Sequence, residues 1–411
     1  MDNEWSRVAA RIETYGKDMV RFQSGLVACP ALGPDNGGQG EAKKAELIKD
    51  WLNLLEPDEL IEADAPDERV ESGRRPNLTA RFKGQGQGRV SVLSHIDIVP
   101  PGELSLWDSD PYVLRQDGDR LYGRGVEDNH HGLVASYFAV KALRDEGLTP
   151  AYDAALMFVA DEETGSVYGL SHLLETKPEL FSPKDLIIVP DAGHEDGTMI
   201  EIAEKSMLWL KFTVKGKQCH AGTPHRGVNT LRASARMITA LDKALPQAFD
   251  AKDNLFSIPA STFEPTKKEA NVPNVNTIPG EDVFFFDARV LPQYSLEAVK
   301  AKAEEVAVAV AAESGVSVKV ETAFQVQAPL ATPADAPVVK ALARGVAEVH
   351  GRKAMPMGIG GGTVAAFFRA KGLPAAVWST IPGNAHAPNE FTRLSYLIAD
   401  AKVLAHVFLG L

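Results

Sequence analysis

The chain has 411 residues, 45% of them apolar, and a formal net charge of −12. Acids and bases are interleaved and no basic block occurs, which argues against nucleic acid and anionic membranes as partners. The two cysteines, Cys29 and Cys219, make no disulfide framework and suit a reducing compartment. The stretch MDNEWSRVAARIETYGKDM is charged and lacks the apolar core of a signal peptide. No apolar run reaches about 18 residues. A soluble, cytoplasmic protein is expected.

Trp5 to Val27 reads as one amphipathic helix, with apolar residues at Val8, Ile12, Tyr15, Met19 and Phe22. The loop ACPALGPDNGGQG follows, then a second helix from Glu41 to Leu55. Leu78 to Phe82 and Arg89 to Ile98 read as strands joined by KGQGQG. The second is nearly continuous in apolar residues, as in a strand buried on both faces. GRGVEDNHHG, Gly123 to Gly132, opens a helix with Leu133, Val134, Tyr137, Phe138 and Val140 on its apolar face. Ala154 to Ala160 and Leu186 to Val189 are further buried strands. The first runs into Asp161, Glu162 and Glu163, the second into Pro190 and Asp191. Strand, polar loop, helix, repeated, is the α/β pattern, in which ligands bind beyond the carboxyl ends of strands.

From about Ser206 the texture changes. Strand, helix, two strand-like segments, helix and strand follow in a β-α-β-β-α-β order, as in a ferredoxin-like unit. After Pro329 the helix–strand texture returns, with helices at Ala336 to His350 and Val364 to Lys371 and a strand at Ala375 to Ser379. The expected fold is therefore α/β: a mixed, mainly parallel sheet flanked by helices, built from residues 1–205 and 325–411, with a ferredoxin-like α+β domain, residues 206–324, inserted.

The chemistry-bearing residues collect at strand ends. Asp128 stands at the start of a helix, where negative charge is favoured. A helix cap is the plain reading of one such acid. Its company suggests more. His95 in SHIDIVP, Glu163 in ADEETGS, Asp191 in VPDAGHEDG and His386 in AHAPNE are all residues that bind metals. Two ions held roughly 3.5–4 Å apart need a bridge. Asp128 is assigned as that bridge, with His95 and Asp191 on one ion and Glu163 and His386 on the other. His130 and His131 are rival ligands. Asp97, two residues after His95, suits a carboxylate that fixes the imidazole tautomer. Glu162 is the expected general base.

His220 in GKQCHAGTPHRGVN is a candidate donor to a developing oxyanion. Arg289 and Asn276 are candidates to bind a substrate carboxylate and carbonyl. The run Gly358 to Gly362 lacks phosphate-loop spacing. Gly361, Gly362 and Thr363 are read as a close backbone approach to a substrate tail.

Taken in order, SHIDIVP, GRGVEDNHHG, DEETGS, GKQCHAGTPHRGVN, NTIPG, GGGT and AHAPNE resemble the motifs of one family. This is the di-zinc metallohydrolase family of acetylornithine deacetylase, succinyl-diaminopimelate desuccinylase, aminoacylase and glutamate carboxypeptidase. The resemblance runs nearly end to end. It implies a catalytic domain split around a lid, which in many members forms a homodimer, with a histidine matching His220 reaching the partner's active site. It also implies a cis peptide after Asp128 and supports the ligand grouping, Glu162 as base and Asp97 behind His95. Desuccinylases continue past the glycines with an arginine that helps hold a substrate carboxylate. Here Val364, Ala365 and Ala366 stand instead, which points away from succinyl-diaminopimelate.

The expected activity is metal-dependent hydrolysis of an N-acyl amino acid or small peptide, by a metal-bound hydroxide with Glu162 as base. Two divalent ions are expected: zinc, with cobalt or manganese as alternatives. A dipeptidase or carboxypeptidase of the same fold is the alternative activity. A catalytically silent peptide-binding relative is a third reading, opposed by the complete set of candidate ligands.

Overall fold

The computed structural model describes residues 2–86 and 88–411. Gln87, within the expected KGQGQG turn, lies outside them. The chain divides into two compact units. The first comprises residues 1–202, 331–357 and 363–411, and the second residues 203–330 with 358–362.

The first unit is built on an eight-stranded sheet. Its order is Glu59–Glu62, Leu78–Phe82, Asp153–Val159, Arg89–His95, Leu186–Val189, Ala375–Val377, Met199–Glu204, Met355–Ile359. The four central strands run parallel, and antiparallel neighbours join on either side. The central strands are buried almost throughout because helices cover both faces. One face packs Leu93, Met157, Val159, Ile187 and Val189 with Leu170 and Phe368. On the opposite pleat Val90 and Val92 are equally buried. The helix His130–Asp145 is buried on nearly every side and packs against Leu394–Leu409. Each fully buried Leu, Val or Phe contributes about 1.5–3 kcal/mol.

Several elements differ from the sequence reading. The first expected helix is two, Asp2–Glu13 and Gly16–Val27. Thr14 and Tyr15 close a turn instead, donating to Arg11 and Ile12 carbonyls at 3.0 Å. β-branched Thr14 and Gly16 both weaken a helix there. The strands Met199–Glu204 and Met355–Ile359 were not foreseen. The glycine-rich surroundings of the latter masked it. Gly358 is needed because a β-carbon there would lie 2.5 Å from the Phe256 ring.

The second unit has a four-stranded antiparallel sheet, in the order Thr262–Lys268, Glu281–Val290, Ser206–Lys215, Ser317–Val326. Strict alternation in Ser206–Lys215 buries Leu208, Leu210, Phe212 and Val214. They pack against helices Thr230–Ala248 and Leu296–Ser314. Asn229 and Ser295 cap these helices by accepting from Arg232 N and Ala298 N. Across the sheet the strands lie in the order second, third, first, fourth of the chain, which is the split β-α-β arrangement. No helix among the described residues is long and apolar enough to cross a membrane.

Candidate functional site

Three neighbouring parallel strands of the first unit end within about two residues of one another. His95 pairs in register with Val159, and Val92 with Ile188. The acids that follow each strand are therefore brought together beyond the sheet's carboxyl edge. Glu162 and Glu163 begin a short 3-10 turn, Glu162–Thr164, and Asp191 follows Leu186–Val189 by two residues. Asp128 enters from the segment before the helix His130–Asp145, through a cis Asp128–Asn129 peptide.

The expected ligands meet. His95 Nδ1 lies 3.0 Å from the Asp97 carbonyl oxygen, which leaves Nε2 facing the acids. Nε2 is 2.8 Å from Asp128 Oδ1 and 3.5 Å from Asp191 Oδ1. His386 Nε2 is 3.1 Å from both Asp128 Oδ2 and Glu163 Oε1. The two oxygens of Asp128 thus serve one histidine each. Donor atoms of His95, Glu162 and Asp191 lie within 4.8 Å of one another, as do those of His95, Asp128 and Glu163.

The electrostatics describe a site that attracts cations. Burial works against charge on His95, but Asp128, Asp191 and Asp97 outweigh it and hold its pKa well above the usual value. Asp128 and Glu163 raise His386 to about 10. Burial opposes the charge on Asp128, yet the two histidines keep its carboxyl below the usual range. Glu162 goes the other way, pushed well up by burial and then by Asp191. Protons on the two imidazoles supply the positive charge these acids require. Divalent ions fit the same nitrogen and oxygen donors and would displace those protons.

Residues 92–410 match the model described as Peptidase family M20/M25/M40. The chain belongs to that family. It is 37% identical to an uncharacterised metallohydrolase of Methanococcus maripaludis, over 94% of this chain and 97% of the relative. It is 29% identical to a succinyl-diaminopimelate desuccinylase of Novosphingobium aromaticivorans, over 71% of this chain and 73% of that protein. Among solved structures, the di-peptidase Dug1p of Saccharomyces cerevisiae superposes with a TM-score of 0.75 at 15% identity, over 100% of this chain and 98% of that one. This likeness establishes the fold. Membership makes the chain a metal-dependent hydrolase.

Several residues around this cluster escaped the sequence reading. Glu390 Oε1 accepts the amides of Glu127 at 2.9 Å and Asp128 at 3.2 Å. Its Oε2 accepts Gly125 N at 3.0 Å and Arg124 Nη1 at 2.6 Å. Arg124 Nη2 also donates to the His386 carbonyl at 3.3 Å. Asn129 Nδ2 donates to Asp191 Oδ1 at 2.5 Å and to Pro190 O at 2.9 Å. The Asp97 carboxylate accepts the amides of Glu162 and Glu163, each at 3.0 Å, so it holds the acid turn more closely than it holds the His95 ring, 3.4 Å away. The one available signal was position: Asn129 adjoins Asp128, and Glu390 lies four residues past His386. The rival histidines are engaged elsewhere, His130 with Lys44 and His131 with Asp400 and Thr392.

The remaining candidates lie mostly in the second unit. His220 pairs with Thr277 in the ribbon Cys219–His220 and Thr277–Ile278. Ala221 N donates to Asn276 O at 2.8 Å, so His220 and Asn276 are neighbours. Arg289 forms a forked pair with Asp287, at 2.7 and 3.1 Å, and donates to Gly360 O at 3.0 Å. It therefore stands beside the segment holding Gly361 and Gly362, with an acid already on its fork. Thr363 belongs to the first unit.

Proposed function

We propose that the chain is an amide hydrolase acting on N-acyl amino acids or small peptides, with Glu162 as general base. The observation that carries this reading is the place of Glu162. Its carboxylate joins His95 and Asp191 in one donor cluster, and burial raises its pKa, as a group that must both take and return a proton requires. Two divalent ions, zinc by preference, bridged by Asp128 and completed by His95, Asp191, Glu163 and His386, would supply Lewis acidity and lower the pKa of water there.

The chain's own groups do the rest. Glu162 accepts a proton from water and returns it to the departing amine. Asp97 holds the turn from which it acts. His220 is assigned to hydrogen-bond the substrate carbonyl oxygen. Asn276, Arg289, Gly361, Gly362 and Thr363 are assigned to the substrate's carboxylate end. Homodimer formation through the second unit belongs to the same reading.

The test compares wild type with Glu162→Ala, measuring bound metal and turnover on N-acetyl amino acids, N-succinyl amino acids and dipeptides. Equal metal in both, with turnover lowered about 10²–10⁴-fold or more in the variant, is expected. Preference for dipeptides over acyl amino acids would select peptidase over deacylase. Absence of bound metal after zinc or cobalt is supplied, or full turnover by the variant, would overturn the reading.

A further inference from the structure

We propose that Arg75 is a positioning residue for the metal centre, acting through Asp161 on the turn that presents Glu162 and Glu163. This rests on the roles given to those two acids above. Arg75 lies in a two-stranded ribbon, Ala65–Pro66 with Arg74–Arg75, opposite Ala65. Its side chain is wholly buried. Nε donates to Glu41 Oε2 at 2.6 Å, and Nη2 donates to Glu41 Oε1. Nη1 reaches Asp67 Oδ2 and Nη2 reaches Asp161 Oδ1, both at 3.5 Å. The methylene stem passes Gly40, where a β-carbon would stand 3.3 Å from Arg75 Cδ. A planar guanidinium with five donors can hold Glu41 through a two-bond fork and still face Asp67 and Asp161, whereas a three-donor ammonium cannot make that set.

Asp161 passes this restraint to the acids. Its φ is 66°, uncommon outside glycine. Its carboxylate accepts from Thr164 Oγ1 and, at 3.0 Å, from Tyr168 N. Its carbonyl accepts Ser166 N at 2.6 Å. Glu162 and Glu163 lie between these anchors, with their own amides on Asp97. The turn is thereby fixed from two directions, by Asp97 next to His95 and by Asp161 on Arg75. Filling space alone does not account for the arrangement. Apolar side chains of the same volume would do that without taking an arginine and three acids out of water.

The experiment uses Asp161→Asn, Thr164→Val and Arg75→Lys in the full chain. Asparagine tolerates the left-handed backbone, so Asp161→Asn keeps the fold while removing the charge that Arg75 holds. Metal-free protein is titrated with cobalt(II) and followed by visible absorption, together with kcat, KM and melting temperature. Asp161→Asn and Thr164→Val are expected to melt near wild type and Arg75→Lys lower, and each variant is expected to bind cobalt about 10–100-fold more weakly and lose kcat while KM holds. Wild-type cobalt affinity in Asp161→Asn would overturn the inference. So would a loss of cobalt binding that only tracks a fall in melting temperature. Glu162→Gln is run alongside. If it turns over like wild type, the base assignment fails, while the cobalt result still decides the role of Arg75.

Discussion

Arg124 Nη1 lies 2.6 Å from Glu390 Oε2, and both side chains are almost completely shielded from water. The pair joins the segment carrying Asp128 to the segment carrying His386. Replacing Arg124 with methionine would leave a buried carboxylate with no cation beside it. Breaking such a pair costs about 3–5 kcal/mol. Urea unfolding of Arg124→Met is expected to show that loss. A change below about 1 kcal/mol, the ordinary scale of a point mutation, would mean that Glu390 finds another partner.

Asn129 offers a narrower test. Its amide is the close donor to Asp191 Oδ1, at 2.5 Å. Asn129→Ala is expected to weaken zinc binding about 10–100-fold, measured by competition with a chelator. Asn129→Asp should be worse, since it sets a second negative charge against Asp191.

Gly132 is a helix position where alanine would ordinarily help by about 0.5–1 kcal/mol. Here a β-carbon would lie 2.3 Å from Pro190 Cγ and 2.8 Å from Pro190 O. Gly132→Ala is therefore expected to destabilise by about 1–3 kcal/mol, the usual effect of overpacking. Because Pro190 precedes Asp191, bound metal should fall as well. Calorimetry and metal analysis on the same sample check both.

Lys44 carries a pH signature. Burial pushes its ammonium down to about 7, with Asp97, Cys29, Glu41 and Glu390 opposing in part. The unfolded chain keeps that proton up to the ordinary value of 10.5. Between pH 7 and 10.5 the unfolded state therefore binds more protons, and stability rises with pH. Relative to Lys44→Met, wild type should gain about 1 kcal/mol per pH unit across pH 8 to 10, near the limit for one proton. Parallel stability curves for the two proteins would refute it.

The sheet and the acids clustered beyond its edge were legible for one physical reason. Strands buried on both faces, such as Asp153–Val159 and Leu186–Val189, appear as unbroken apolar runs. A polar residue directly after such a run is conspicuous. Arg75, Arg124, Asn129 and Glu390 were not legible, because a buried polar residue paired across the chain leaves no periodic trace. The added role of Asp97, as acceptor for two amides, depends on a turn that no pattern announces. The break at Thr14 and Tyr15 was hidden by Ile12, Tyr15 and Met19, which keep their apolar spacing across it.

Arg124 reaches the carbonyl of a residue 262 positions downstream. During translation, Asp128 and its neighbouring acids leave the ribosome long before His386, and the whole intervening unit must be made first. A growing or stalled chain thus holds half a centre, with neither His386 nor Glu390 to complete it. On the site proposed above, hydrolysis begins only after synthesis has passed residue 390. The cost is kinetic, because contacts this distant close slowly.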